Sequence, residues 1–455
     1  MAEDGLMREK VLNHLNGLSP AARKILLRRL EAANRVHGNG SALDSLVDAA
    51  RFSVTELETP VTIDVKAIIF EPFAPFIIEE RLAVKQRGWV SRRSIDQIWT
   101  YVTTSAMREA FEPYLNGTPL VRGPGERRTV TAAKALGETM WRELARLVVE
   151  SNDDGSSGQR FRSRVGGVDS YADLVDLLDL RNRCASVQRL LARLPATTHV
   201  GEASERILCE QVVAHVADHP DEAPYIAAGL ALKVTSPSTM VKLATLIAET
   251  VDVATIRRGI AGPFMDVTLS LAECSIARFA ELSQTADSTA AMVTQIHSFH
   301  DAARALVGSV NLDNDPDSRA RLSQLRKTIS QLIANELDGV MLAVRQGLRI
   351  DADEKPSATQ SLHALQKVTI LAAAIRYRES LALNELIGRL HVATGRAIEV
   401  YGGQLIDTLR KAKGDTLNDL AAVSEILLCM SEQLQGDVYA QLLRKQRDHA
   451  LKRAP

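Results

Sequence analysis

Apolar residues recur at intervals of three and four along most of this chain, a period that predicts helix. Ala22, Ile25, Leu26 and Leu30 set the pattern, behind Ser19 as N-cap and Pro20 at the first helical position. "HGNGS" breaks it before a second helix, expected from about Ala42 to Phe52. Ile95, Ile98, Trp99 and Val102 form the apolar face of a later helix capped by Ser91 or Ser94. "LNGTPLVRGPGERRT" reads as a loop, and "VTAAKALGETMWRELARLVVE" as another amphipathic helix. From residue 170 onward the helical period is nearly continuous. Pro220, Pro237 and Pro263 stand near helix starts, with Ser236 as a cap before Pro237. Beyond Pro263 the helices lengthen, separated by the polar breaks "NLDNDPDS" and "RIDADEKPS". The first break reads as a capping loop, with Asp315 or Asp317 near a helix start. The expected fold is all-α: an irregular helical array or long-helix bundles, solenoid-like in the middle.

One stretch departs from the helical period. Val61, Ile63 and Val65 alternate with Thr62 and Asp64, as a strand does, and "FEPFAPFIIEE" follows at residues 70 to 80. A residue before proline avoids the helical region, so Glu71 and Ala74 are expected to be extended. A polyproline II segment with three residues per turn would align Phe70, Phe73 and Phe76 along one edge. The expectation is a short extended Phe/Pro strap near 60–78. Its aromatic row either packs inside the fold or forms an exposed docking ladder for a partner. Packing is favoured, because three exposed Phe side chains would make an unusual surface patch.

"SNDDGSSGQRFRSRVGGVD", residues 151 to 169, has the composition of a linker, within which Phe161 is expected to be exposed. The expected organisation is an N-terminal helical domain over 1–150, this linker, and a C-terminal all-helical domain over 170–455.

Composition narrows the function. Of 455 residues, 45% are hydrophobic and 24% charged, which suits a soluble globular chain. The formal net charge of -1 gives no global field to draw nucleic acid or an anionic membrane. No apolar run approaches the ~20 residues that span a bilayer. The beginning, "MAEDGLMREK", lacks the pattern of a signal peptide, so a cytoplasmic location is expected. Cys184, Cys209, Cys274 and Cys429 lie far apart, with no CxxC pair, and read as buried reduced thiols.

Several local patterns bear on chemistry. His215 and His219 share a helix face at i, i+4 and form a weak metal candidate, without the Glu of HExxH. "FHDAARAL" places His300 beside an acid, a faint likeness to the phosphoacceptor box of histidine kinases. The proline expected after the basic residue is missing, and a partly exposed helical histidine is the plainer reading. "GPGERR" is neither a dinucleotide fingerprint nor a P-loop. Arg81, Lys85, Arg87, Arg92 and Arg93 form a basic cluster. Arg122, Arg127 and Arg128, then Arg160, Arg162 and Arg164, then Arg181, Arg183, Arg189 and Arg193 continue it.

The expected function is a non-catalytic cytoplasmic scaffold for a partner protein, with no cofactor. Two other readings stay open. One is nucleic-acid or phosphate-ligand binding through the arginine clusters, which their convergence on one face would favour. The other is a phosphotransfer or metal-dependent enzyme using His300 or the His215/His219 pair, which a third ligand near both histidines would favour.

Overall fold

The computed structural model describes residues 22–23, 25–30, 47, 50, 61–62, 64–80, 82–115, 119–120, 124–151, 156–194, 202–233, 236–285, 288–349 and 358–453. The N-caps expected at Ser19 and most of the helix at 42–52 lie outside them; 22–23, 25–30, 47 and 50 are helical. In chain order there follow β1 (Val61–Thr62), α1 (Val65–Phe70), a 3-10 segment (Glu71–Phe76), β2 (Ile77–Ile78), β3 (Val90–Ser91) and α2 (Arg92–Tyr101). A π-helical segment (Val102–Ala106) extends α2. Next come α3 (Arg108–Leu115), β4 (Pro119–Leu120), α4 (Pro124–Glu150), α5 (Ser156–Val165), α6 (Val168–Arg193), α7 (Glu202–Asp218), α8 (Ala223–Lys233) and α9 (Pro237–Ala248). The remainder is α10 (Val253–Arg258), α11 (Gly262–Leu282), α12 (Thr289–Ser309), α13 (Pro316–Leu337), α14 (Val340–Leu348), α15 (Ala358–Arg376), α16 (Asn384–Leu409), α17 (Gly414–Gln435) and α18 (Asp437–Arg453). The fold is all-α. Its strands form two-residue ladders, β1 with β4 and β2 with β3. Among the described residues no helix is long and apolar enough to cross a membrane.

The chain divides into two compact units, one of Met1–Ile77 with Arg92–Asp179 and one of Ile78–Ser91 with Leu180–Pro455. In the first, α1 packs on α4 and α2 on α5. Asp64 caps α1, its carboxylate accepting from the Ala67 N–H at 3.1 Å. Phe70, Phe73 and Phe76 are all buried. Phe70 and Phe73 meet the Trp141 ring edge-on at 5.4 and 5.3 Å.

The backbone here corrects the extended strap. Val65–Phe70 is α-helical and Glu71–Phe76 is 3-10, with Glu71 at φ -46°, ψ -45° despite the proline after it. A 3-10 helix also has three residues per turn, so it aligns the same aromatic row. Prolines lack an N–H to donate and suit the start of such a turn. Burying the row against Trp141 outweighs the local preference of Glu71. Of the alternating residues, Val61 and Thr62 pair antiparallel with Leu120 and Pro119, whereas Val65 begins α1. The loop expected before Val130 is also shorter, since α4 begins at Pro124.

The stretch expected as a linker contains α5, and Phe161 is buried rather than exposed. Its ring stands edge-on to Tyr101 at 5.6 Å and to Tyr171 at 5.9 Å. Gly and Ser dominate the composition, but Phe161 and Val165 lie at i, i+4 and supply one apolar face.

In the second unit, consecutive helices pack on near neighbours: α9 on α11 and α12, α14 on α15 and α16, α17 on α15, α16 and α18. Helix α8 is buried from Ala223 to Ala231 on every side, as its unbroken apolar sequence dictates. Prolines open α9, α11 and α13, and Asp315 is the N-cap residue of α13. Segment Ile78–Ser91 is built into this unit. Glu80 pairs with Arg278, and the Ala83 N–H donates to Glu273. Trp89 is buried and donates its indole N–H to the Ala228 carbonyl at 2.9 Å.

Three cysteines are buried, but Cys429 is exposed. Burial pushes the Cys184 thiol up to about 11 and the Cys274 thiol up to about 12, so both remain protonated near neutrality.

Candidate functional site

The two groups of histidines are held by local partners. His215 Nε2 lies 2.8 Å from Oε2 of buried Glu222, and its ring is 4.8 Å from that of His219. Glu222 thus takes up one nitrogen of the pair. Among the described residues no group of three or more His, Cys, Asp or Glu side chains is arranged to hold a metal ion.

His300 is buried, not partly exposed. Its Nδ1 lies 2.8 Å from Ser380 Oγ, and the Tyr377 ring sits against both His300 and His297, at 4.8 and 5.2 Å. Ser380 and Tyr377 belong to the turn between α15 and α16, which periodicity alone could not bring to α12. Burial lowers the His300 pKa; Asp301 and Glu379 oppose the shift, and Arg304 and His297 reinforce it. The native state therefore binds fewer protons here than the unfolded chain. Stability is expected to fall as pH drops below the ordinary histidine value of about 6.5, levelling off below the lower native value. Thermal unfolding at pH 7.5 and 5.5 checks this: wild type should lose more than His300→Asn over that interval, and equal losses would count against it.

The basic cluster divides between structural and open roles. Arg81 lies outside the described residues. Lys85 donates to the Trp89 carbonyl, and the Arg87 guanidinium lies 5.7 Å from the centre of the Tyr225 ring. Both serve the second unit's own packing. Arg92 and Arg93 are exposed at the start of α2. Arg162 lies over Tyr171 at 5.2 Å, and Arg183 pairs with Asp221 at 3.8 Å. Arg122 lies outside the described residues, as do the side chains of Arg127 and Arg128.

Arg93 and Arg164, from two separate clusters, line one cavity of about 320 Å³ in the first unit. Residues Arg93, Asp96, Gln97, Thr100, Tyr101 and Thr104 supply one wall, along α2 and its π segment. Arg164 and Gly166 come from the junction of α5 and α6. Spacings of three and four put Arg93, Gln97, Thr100 and Thr104 on one helix face. π segments are often found at functional sites. Neither Arg93 nor Arg164 has an ion-pair partner among the described residues, whereas Asp96 is paired with Lys66. The cavity therefore carries unneutralised positive charge.

Gln97 is fixed from behind. Ser170 donates its hydroxyl to Gln97 Oε1, which leaves the amide nitrogen as a donor. Gly166, at φ +114°, allows this approach: a Cβ there would fall 2.6 Å from Gln97 Cδ. Tyr101 is buried, and burial raises its pKa against the opposing charge of Arg164. It is a neutral phenol near pH 7, not a base. A larger cavity of about 520 Å³ in the second unit is lined mainly by Leu337, Val340, Met341, Leu386 and Leu390 and carries little charge.

Arg93 and Arg164 stand out in the sequence, but the wall between them does not. The polar stripe at 93, 97, 100 and 104 was the available signal; its opposite wall was not legible. Compared with protein-family models, curated proteins and solved structures, the chain matches none.

Proposed function

We propose that this protein is a non-catalytic binding protein for a small anionic, phosphate-bearing ligand, held in the cavity of the first unit between Arg93 and Arg164. The observation that carries the reading is the meeting on one cavity of two arginines, from separate clusters, that have no ion-pair partner among the described residues. Guanidinium groups match phosphate oxygens in charge and in forked geometry. A volume of about 320 Å³ suits a small molecule rather than a nucleic-acid strand. Binding rather than catalysis follows from the lining. Tyr101 stays protonated, and Asp96 is paired with Lys66.

Calorimetric titration with inorganic phosphate and pyrophosphate tests this. Arg93→Ala and Arg164→Ala should each weaken binding about tenfold or more, since a hydrogen bond to a charged group contributes ~1.5–3 kcal/mol. Both side chains are exposed, so melting temperatures without ligand should hardly change. Affinity should fall with added salt. If neither anion binds wild type at millimolar concentration, the reading fails, and the helical array is better taken as a scaffold for a partner protein.

A further inference from the structure

The cavity's lining says more than that its ligand is anionic. We infer that the ligand is a phosphorylated polyol or sugar, its phosphate held by Arg93 and Arg164 and its hydroxyl groups donating to Asp96, Thr100 and Thr104. This rests on the anion-binding reading.

Two hydroxyl hydrogens along this wall are already used. Thr100 donates its hydroxyl to the Asp96 carbonyl at 2.8 Å, and Thr104 donates to the Thr100 carbonyl at 2.6 Å. With those hydrogens committed, each oxygen offers the cavity only lone pairs. Asp96 adds a carboxylate whose side chain is 58% exposed, with Oδ1 on Lys66. Its Oδ2 makes no hydrogen bond among the described residues. The acceptors therefore lie along the same wall as the donors Arg93 and Gln97.

The stripe from Arg93 to Thr104 extends about 16 Å at the helical rise of 1.5 Å per residue. An inorganic phosphate at the arginines would leave most of that wall unused. A ligand that occupies it must bring donors, and carbon-bound hydroxyl groups do so. A nucleobase finds little to stack on, because the Tyr101 ring is turned to Phe161 inside the unit. A carboxylate beside a phosphate site repels the anion. Asp96 therefore costs affinity for phosphate alone and contributes affinity only when a hydroxyl donates to it.

That opposition of signs gives the test. Binding of inorganic phosphate, glycerol 3-phosphate, glucose 6-phosphate and AMP would be measured by calorimetry on wild type and Asp96→Asn. At least one of the two polyol phosphates is expected to bind wild type tenfold or more tightly than inorganic phosphate, with AMP weaker than it. Asp96→Asn should remove that preference while leaving inorganic phosphate bound as well as before, or better. Phosphate binding without any gain from the polyol would overturn this inference and keep the anion site. So would equal losses for all ligands in Asp96→Asn, or tightest binding by AMP. Absence of binding by every compound would overturn both.

Discussion

Phe73→Ala and Phe76→Ala are each expected to lower the unfolding free energy by roughly 3–5 kcal/mol, the cost of a deleted ring plus the cavity it leaves. Phe73 is 2% exposed and Phe76 fully buried. Phe73 also loses its edge-on contact with Trp141. Either loss is a large share of the ~5–15 kcal/mol that holds a typical domain together. The double variant should leave the first unit unfolded or close to it. Phe161 cannot serve as an exposed control, since it is itself packed between Tyr101 and Tyr171. Val168→Ala is suitable, with Val168 75% exposed. Urea and thermal unfolding would read the effect. An unchanged midpoint for both single variants would put the rings back at the surface and restore the docking ladder.

Gly88→Ala should be nearly as damaging, through the second unit. Gly88 has φ +88°, which side-chain-bearing residues rarely adopt. A Cβ there would lie 2.9 Å from the Ala228 Cβ and 2.9 Å from the Pro224 carbonyl oxygen on α8. Backbone strain of roughly 1–3 kcal/mol and overpacking of similar size combine to about 2–6 kcal/mol. The neighbouring indole would lose its place too, because Trp89 bonds to Ala228 from the adjacent position. The cost should appear as a lower melting temperature, whereas Gly308→Ala, with nothing near its Cβ, should be neutral or slightly stabilising. A Gly88→Ala protein as stable as wild type would mean that segment Ile78–Ser91 does not dock on α8 as described.

The sequence by itself determined most of the helices beyond residue 170, because their causes are local. Apolar spacing and the prolines at Pro237, Pro263 and Pro316 act within a turn or two of the backbone. It also determined that Phe70, Phe73 and Phe76 share a row, since a three-residue period is common to polyproline II and 3-10 helix. Which of the two backbones carries the row was decided by Trp141, far along the chain on α4.

Other outcomes needed the tertiary structure throughout. A Gly- and Ser-rich stretch became helix α5 because Tyr101 and Tyr171 enclose Phe161. Lys85 and Arg87 resemble Arg93 in the sequence, but Trp89 and Tyr225 engage them in packing. Arg93 and Arg164 face a common cavity only because α2 packs on α5 and Gly166 lets the chain close against Gln97. Formal charge is written in each residue. Whether that charge is spent on a neighbour or left open to a ligand depends on distances that only the folded chain sets.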